Sequence, residues 1–372
     1  MFRPIFVFTA DSHLQRCQWV KRPTLAGDAY HAFASTLEWA AEQNVPVVHG
    51  GDLFDVKKPD SEAVTFFQLQ LDRFGLRFYF VQGDHDFSTP PWASLAPLAT
   101  PLHKQCRNIG GLNVCGLDFA PRGAIQADLA DVPAATDVLV THLAWTEAQG
   151  IGQTDADVAD VANATLILSG DFHTQGTWTG VNADGHRATI YSPGSPVATK
   201  IDEITPREFL VVGEEDGQIA IRRQRVPLQR LGFCFDIADE PGFDDLIDRL
   251  LPTLVAADAS SLPEELRAPI VRVRYPDSIP EAYERLQRFA AHVHLFLDPR
   301  HVVEEAVVVI DASREHAFQG LSEAVVALAK DEQIRVDALR LLTASDVGEE
   351  YDRMLEEHLR QAGDMSAAAD LP

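Results

Sequence analysis

Asp and His recur in this chain in one grammar: a short apolar run, a small residue, then groups able to hold a cation. Ile5 to Thr9 runs into Ala10, Asp11, Ser12 and His13, and Val45 to His49 into Gly50, Gly51, Asp52, Leu53, Phe54 and Asp55. Leu76 to Val81 runs into Gln82, Gly83, Asp84, His85 and Asp86, Asp137 to Thr141 into His142, and Ala164 to Leu168 into Ser169, Gly170, Asp171, Phe172 and His173. Carboxylate oxygens suit hard divalent ions and imidazole suits borderline ones, so a mixed set points to Mn, Fe or Zn. Asp11, His13, Asp52, Asp84, His142, Asp171 and His173 supply enough ligands for two ions if Asp52 bridges them. Two ions about 3.5–4 Å apart form the clamp used in phosphoester hydrolysis. Any one of these segments alone is commonly a turn or a helix cap; their succession at strand ends makes them a site. Asp55, the second carboxylate of its segment, receives no role in this set. His49 lies inside its apolar run and reads as a packed histidine.

These groups must be positioned by strands, because only strand ends repeated along a sheet bring distant loops to one place. The apolar runs are short and continuous, as expected for strands buried on both faces. Between the first two, Tyr30, Phe33, Leu37 and Ala41 have helical spacing, and Asn44, Val45 and Pro46 close that helix. Pro59 to Phe74 repeats the helical pattern through Val64, Phe67 and Leu71. The βαβ rhythm predicts an α/β sheet whose loops line one crevice at the carboxyl ends of the strands. Leu112 to Phe119 reads as a further strand, and two antiparallel hairpins, turning at Asp184-Gly185 and Asp216-Gly217, should close this first domain near residue 227.

Beyond Pro227 the pattern is strand, helix, strand, helix, strand: Gly232 to Ile237, Phe243 to Leu254, Ile270 to Tyr275, Pro280 to Ala291 and Val293 to Leu297. This predicts a small α+β domain over 228–311. Three helices are expected over 312–363, the last with Tyr351, Met354, Leu355 and Leu359 on one stripe, followed by a disordered tail over 364–372.

A chain of 372 residues with 46% hydrophobic content can bury a sizeable core, and no apolar run reaches the length of a membrane span. The start lacks a basic segment followed by a cleavable apolar one, so a cytoplasmic location is expected. Cys17, Cys106, Cys115 and Cys234 form no CxxC pair, which argues against a disulfide frame or a thiolate zinc site. The formal net charge of -25 argues against a stand-alone nucleic-acid binder, although bound cations and local clusters such as Lys57-Lys58 and Arg222-Arg223-Gln224-Arg225 offset it. No phosphate-binding GxxxxGK[ST] loop occurs, so no ATPase site is expected in this chain.

The succession DxH, GDxxD, GDHD, a lone His and GDxH resembles the calcineurin-like metallophosphoesterases, over roughly residues 1–225. GGDLFD, the Tyr191 to Ser195 segment and the small second domain with following helices resemble, within them, the bacterial and phage SbcD nucleases, counterparts of the meiotic-recombination-eleven nuclease. The resemblance implies that Asp11, His13, Asp52 and His173 hold one metal, and Asp52, Asp84, His142 and Asp171 the other. It makes His85 the catalytic histidine beside the scissile phosphate, with Asp86 orienting its imidazole. The family usually has Asn where this chain has Asp84 and His where it has Asp171, so the second metal gains carboxylates; this favours Mn2+ or Mg2+ over Zn2+, and Mn2+ dependence is expected.

The same resemblance implies a DNA exonuclease and endonuclease acting as a dimer with an SbcC-type ATPase docked on the C-terminal helices. The small domain would face DNA through a few arginines, Arg272 and Arg274 on one strand face being the candidates. Two other readings stand beside this one. A small-molecule phosphodiesterase or phosphatase of the same superfamily accommodates the acidity better but leaves the extra domain unexplained, and a non-catalytic scaffold is favoured only by the two substitutions.

Overall fold

The apolar runs become strands of β-sheets flanked by helices, as the α/β reading expects, and they are divided between two sheets. In the computed structural model, which describes residues 2–14, 25, 27–149, 154–256 and 261–300, the first sheet has the order β12-β11-β1-β2-β3-β4. Its strands are β1 (Arg3–Thr9), β2 (Val47–Gly50), β3 (Phe78–Val81), β4 (Ala99–Pro101), β11 (Glu208–Glu215) and β12 (Gln218–Arg225). The second has the order β5-β6-β7-β8-β10-β9. It comprises β5 (Gln105–Ile109), β6 (Leu112–Gly116), β7 (Val138–His142), β8 (Leu166–Gly170), β9 (Gly176–Val181) and β10 (Arg187–Ser192). β1 through β4 pair in parallel, as do β6, β7, β8 and β10, while the expected hairpins supply the antiparallel pairs β9–β10 and β11–β12. At the second hairpin Asp216 and Gly217 both take positive φ, 52° and 78°, the geometry that favours Asp-Gly in a two-residue turn.

Side-chain alternation along each strand explains the layering. Phe6 and Phe8 of β1 pack with Val48, Val81, Val140, Leu168 and Leu210 in a core between the two sheets. Val7, pointing the other way, joins Phe33, Leu37, Phe67, Leu71 and Phe78 beneath α1 (Asp28–Glu42) and α2 (Ser61–Phe74). On the outer face of the second sheet, Leu139, Ile167 and Ile190 pack against Ile125 and Leu129 of α3 (Ala124–Ala130) and against Trp145 just before α4 (Thr146–Gln149). The architecture is therefore helix, sheet, sheet, helix. The parallel strands that end in the Asp and His segments, β1, β2, β3, β7 and β8, are buried on both faces, which is why they read as unbroken apolar runs. α2 starts where Asp60 accepts the Ala63 amide and stops at Gly75 in the left-handed conformation.

β4, β5 and α3 were not legible: β5 is polar and mostly exposed, so it carries no apolar signal. Pairing of β5 with β6 also corrects the cysteine expectation. Cys106 and Cys115 stand opposite one another across that hairpin and are disulfide-bonded, with Cα atoms 4.0 Å apart. Cross-strand register, invisible in a spacing of nine residues, made them neighbours.

The third sheet, β13 (Gly232–Asp236), β14 (Ile270–Pro276) and β15 (His294–Arg300), is parallel throughout with β14 central. Its core joins Phe243, Leu246 and Leu251 to Val271, Val273, Leu286 and Leu295. The first helical segment continues from α5 (Glu240–Asp245) through a π turn (Leu246–Leu250) into α6 (Leu251–Ala256), and α7 (Ala282–Gln287) is shorter than the expected Pro280 to Ala291. A buried ion pair, Arg230 to Asp28 at 2.7 Å, ties the start of this region to α1. The helices expected over 312–363 and the tail over 364–372 lie outside the described residues. Among the described residues, no helix is long and apolar enough to cross a membrane.

Candidate metal centre

The ends of β1, β2 and β3 in one sheet and of β7 and β8 in the other meet at a common edge. Glycine makes the approach possible. A Cβ at Gly51 would collide with the His142 ring, and one at Gly83 with the Asp52 carboxylate and amide. Asp11, His13, Asp52 and Asp171 all adopt left-handed backbone, with φ of 53°, 44°, 54° and 78°. That conformation is strained for non-glycine residues, and a cluster of them at one place is typical of a site whose side chains must converge.

They do converge. Asp11, His13 and His173 have ligand atoms within 4.8 Å of one another, as do Asp11, Asp52 and His142, and also Asp84, His142 and Asp171. All the carboxylates and imidazoles singled out as candidate metal ligands are thus brought together. Asp52 lies between the two ends: its Oδ2 is 3.8 Å from His13 Nε2 and 3.5 Å from His142 Nε2, while its Oδ1 accepts the His85 amide at 3.0 Å.

The protonation pattern of the imidazoles tests whether cations fit. His142 Nδ1 donates to the Gly50 carbonyl at 2.8 Å, which leaves Nε2 as the ring's acceptor. That Nε2 is buried without a hydrogen-bond partner, 3.5 Å from Asp84 and 3.9 Å from Asp171, and Asp11 Oδ2 is likewise buried and unpartnered. His13 Nδ1 sits 3.0 Å from Asp55 Oδ1, and His173 Nδ1 2.9 Å from Glu203 Oε1. A carboxylate only accepts, so the bond to Glu203 places the His173 proton on Nδ1. The two Nε2 atoms are 3.0 Å apart, so the His173 lone pair is turned to a point shared with His13 beside Asp11. Such a point takes a cation, a shared proton or a metal ion, and the donor set fits divalent metals at both ends.

Charge agrees with this geometry. Burial alone would raise the Asp52 carboxyl, but His142, His13 and His85 together hold it well below the usual carboxylate range. Burial alone would lower His142, yet Asp52, Asp84 and Asp11 raise it well above the ordinary imidazole value. Asp171 is pushed up to about 6, by burial first and then by its carboxylate neighbours against the pull of His142. A site this rich in carboxylate demands positive charge.

His85 is half exposed beside the centre, where a substrate can reach it. Its Nδ1 donates to the backbone carbonyl of Asp55 at 3.0 Å, and the Asp55 carboxylate stands 3.9 Å away, so Nε2 is the end presented outward. This corrects the role expected for Asp86. Asp86 is buried and its carboxylate accepts the amides of Leu53, Phe54 and Gly83 at 2.9, 3.3 and 2.9 Å. It clasps the loop after β2 to the loop after β3; Asp55 is the residue that aims the histidine.

Three supporting residues escaped sequence reasoning. Asp55 stands in plain view as the last carboxylate of GGDLFD, but the motif itself does not say what it holds. Asp118 holds the end of β3 through the Gln82 amide and side chain, at 2.8 and 3.1 Å, with no motif to announce it. Glu203 sits in a short 3-10 turn, Ile201–Glu203, thirty residues beyond His173. His49 is the packed histidine expected, fully buried with Nε2 2.8 Å from Ser12 Oγ, and burial drives it down to about 3.

The arginines proposed to face DNA are already engaged. Arg272 bonds Asp202 and, at 3.0 Å, Asp298, while Arg274 lies 3.4 Å from Asp298, 3.7 Å from Asp236 and 3.8 Å from Asp202. Both point to one face, as the strand alternation required, but three aspartates share that face and neutralise it. In the Arg222 to Arg225 cluster, Arg222 pairs with Glu215 at 2.8 Å and Arg223 donates to the carbonyls of Ser192 and Gly176. Lys57 and Lys58, two and three positions past Asp55, are exposed.

Residues 5–175 match the model of a family described as Calcineurin-like phosphoesterase. Two relatives, each described as DNA double-strand break repair protein Mre11, are 26% identical: that of Methanosarcina mazei over 66% of this chain and 42% of its own, and that of Methanosarcina acetivorans over 60% and 39%. The chain thus spans less than half the length of these relatives. Among solved structures, TT1561 of Thermus thermophilus aligns over 60% of this chain and 99% of its own at 14% identity and a TM-score of 0.38. An archaeal phosphodiesterase aligns over 59% and 99% at 11% identity and a TM-score of 0.33. The match to the calcineurin-like phosphoesterase family, over residues 5–175, thus takes in every strand-end Asp and His of the site.

Proposed function

We propose that the chain is a two-metal-dependent phosphodiesterase acting on DNA, an exonuclease and endonuclease of the Mre11 and SbcD kind. The observation that carries the reading is the placement of Asp52 Oδ2 between His13 Nε2 and His142 Nε2, with lone pairs from both ends of the site directed inward. Asp11, His13, Asp52 and His173 would hold one divalent ion, and Asp52, Asp84, His142 and Asp171 the other. When bound, such a pair supplies Lewis acidity to a phosphoryl oxygen and acidifies a water for in-line attack.

The chain's own residues do the rest. Asp55 holds His85 with Nε2 outward, where the imidazole can protonate the leaving oxygen or bond the phosphate as charge develops. Burial lowers the affinity of His85 for a proton, but the Asp55 carbonyl, Asp52 and Asp84 outweigh it and raise it above the ordinary value, which suits an acid. Asp86 and Asp118 keep the two loops in register. Exposed Lys57 and Lys58 beside Asp55 are the nearer candidates for the phosphate backbone.

The added carboxylates at Asp84 and Asp171 support Mn2+, with Mg2+ as the alternative. By analogy with the Mre11 relatives, a role in DNA repair or recombination, dimerisation, a DNA-facing region over 228–311 and an SbcC-type ATPase docked on 315–361 belong to the same proposal. One observation favours a second reading, a small-ester phosphodiesterase: Arg272 and Arg274 are neutralised by aspartates, in a chain of net charge -25.

The test uses metal-stripped protein reloaded with Mn2+, Mg2+ or Zn2+ and assayed on labelled single- and double-stranded DNA beside bis-p-nitrophenyl phosphate, for wild type and His85→Ala. DNA cleavage that is best with Mn2+ and falls about 10²–10⁴-fold in the variant is the expected result. Cleavage of the small ester alone favours the second reading, and best activity with Zn2+ overturns the metal assignment.

A further inference from the structure

His173 is held from behind by a residue that belongs to no metal-binding motif. Glu203 is buried on a short turn, and three donors of its own loop converge on Oε2: the Thr199 amide at 2.8 Å, the Thr199 hydroxyl at 2.9 Å and the Lys200 amide at 3.3 Å. These bonds leave Oε1 aimed at His173 Nδ1, 2.9 Å away. Arg207, also buried, closes the arrangement: its Nη1 donates to the His173 carbonyl at 2.9 Å and its Nη2 lies 3.5 Å from Glu203 Oε2. A carboxylate fixed at one oxygen and directed at an imidazole with the other can set only one ring orientation and one tautomer.

We infer that Glu203 is a positioning residue for the metal centre: it holds the His173 ring as the Nδ1–H tautomer with Nε2 turned toward Asp11 and His13. The inference rests on the assignment of His173 as a ligand under the proposed function. Its physical basis is general. A histidine ligand offers its lone pair reliably only when the other nitrogen is tied to an acceptor, and a carboxylate acceptor also raises the basicity of the coordinating nitrogen. Packing alone leaves the ring free to flip, since His173 is part exposed and meets the His13 ring edge-on, with centroids 4.9 Å apart. Thr199 Oγ1 lies 3.1 Å from the same Nδ1, and since this hydroxyl spends its hydrogen on Glu203 Oε2 it can face Nδ1 only as an acceptor, which requires the same tautomer.

The experiment uses the full chain, metal-free. Long-range 15N–1H spectra of the imidazoles report the His173 tautomer in wild type, and calorimetric titration with MnCl2 reports the affinity of each position in wild type, Glu203→Gln and Glu203→Ala. The Nδ1–H form is expected in wild type. In Glu203→Ala one of two Mn2+ affinities falls about 10–100-fold while the other stays, and Glu203→Gln, whose amide oxygen must face the Thr199 and Lys200 donors and so turns its NH2 toward Nδ1, loses affinity at the same position. Equal Mn2+ affinities in wild type and Glu203→Ala overturn the role of Glu203 alone, whereas a wild type that takes up no Mn2+ overturns the ligand assignment beneath it. Should Glu203→Ala fail to fold, the wild-type spectrum decides: the Nε2–H form refutes the inference.

Discussion

Asp86→Ala separates a clasp from a catalytic partner. In the structure the Asp86 carboxylate accepts three amides, two at 2.9 Å and one at 3.3 Å, from both loops that frame Asp52 and His85. Alanine leaves those buried donors unsatisfied, at about 1–3 kcal/mol each. The loss is offset in part because burial makes the carboxylate costly, lifting its pKa to about 7 against the pull of the Gly83 and Phe54 amides. Counting about 1 kcal/mol per amide as the net, the variant should lose about 3 kcal/mol of stability. With a urea dependence of about 3 kcal/mol per molar, the unfolding midpoint falls by about 1 M. The assay is urea unfolding followed by intrinsic fluorescence, beside the His85 pKa read by NMR in the same two proteins. A clasp moves the midpoint and leaves His85 within a few tenths of its wild-type value. An unmoved midpoint with a shifted His85 pKa would show that Asp86 acts on the imidazole after all, and the argument from its amide partners would fail.

Two further outcomes follow from the same geometry. His49 is held down to about 3 by burial, below its unfolded value of about 6.5, so the stability it lends as a neutral ring is complete above pH 6.5 and is lost as pH falls toward 3. Between pH 7.5 and pH 5 metal-free wild type should lose about 2 kcal/mol that His49→Gln retains, and identical acid slopes in urea unfolding would count against a neutral buried ring. Because Arg272 and Arg274 are paired with Asp202, Asp236 and Asp298, Arg272→Ala should change affinity for a DNA duplex less than twofold, while Lys57→Ala with Lys58→Ala weakens it and flattens its salt dependence. Fluorescence anisotropy over a salt series reads both, and a large loss in Arg272→Ala would return that strand face to the DNA surface.

Local chemistry explains what was readable in advance. Strand-end Asp and His residues were legible because ligands need oxygen and imidazole, close approach needs glycine beside them, and the strands that carry them are apolar on both faces. The helices α1 and α2 and both Asp-Gly hairpins were legible for similar reasons, each resting on contacts within a few positions. What the order of residues could not contain is adjacency between distant segments. Division of the strands between two sheets, the Cys106–Cys115 bond, the pairing of Arg272 and Arg274 with aspartates, and the passing of the orienting role from Asp86 to Asp55 all depend on which backbone lies against which.

Asp52 shows the boundary between the two. Its residue type, its place after Gly50 and Gly51, and its candidacy as the shared ligand were properties of the sequence. That its Oδ2 stands between His13 and His142, and that Glu203 turns the His173 lone pair toward His13, was decided only when two sheets packed face to face and their strand ends came together. A ligand is chosen by its functional group, which sequence specifies outright; a tautomer and an aim are set by whatever partner folding places behind the ring.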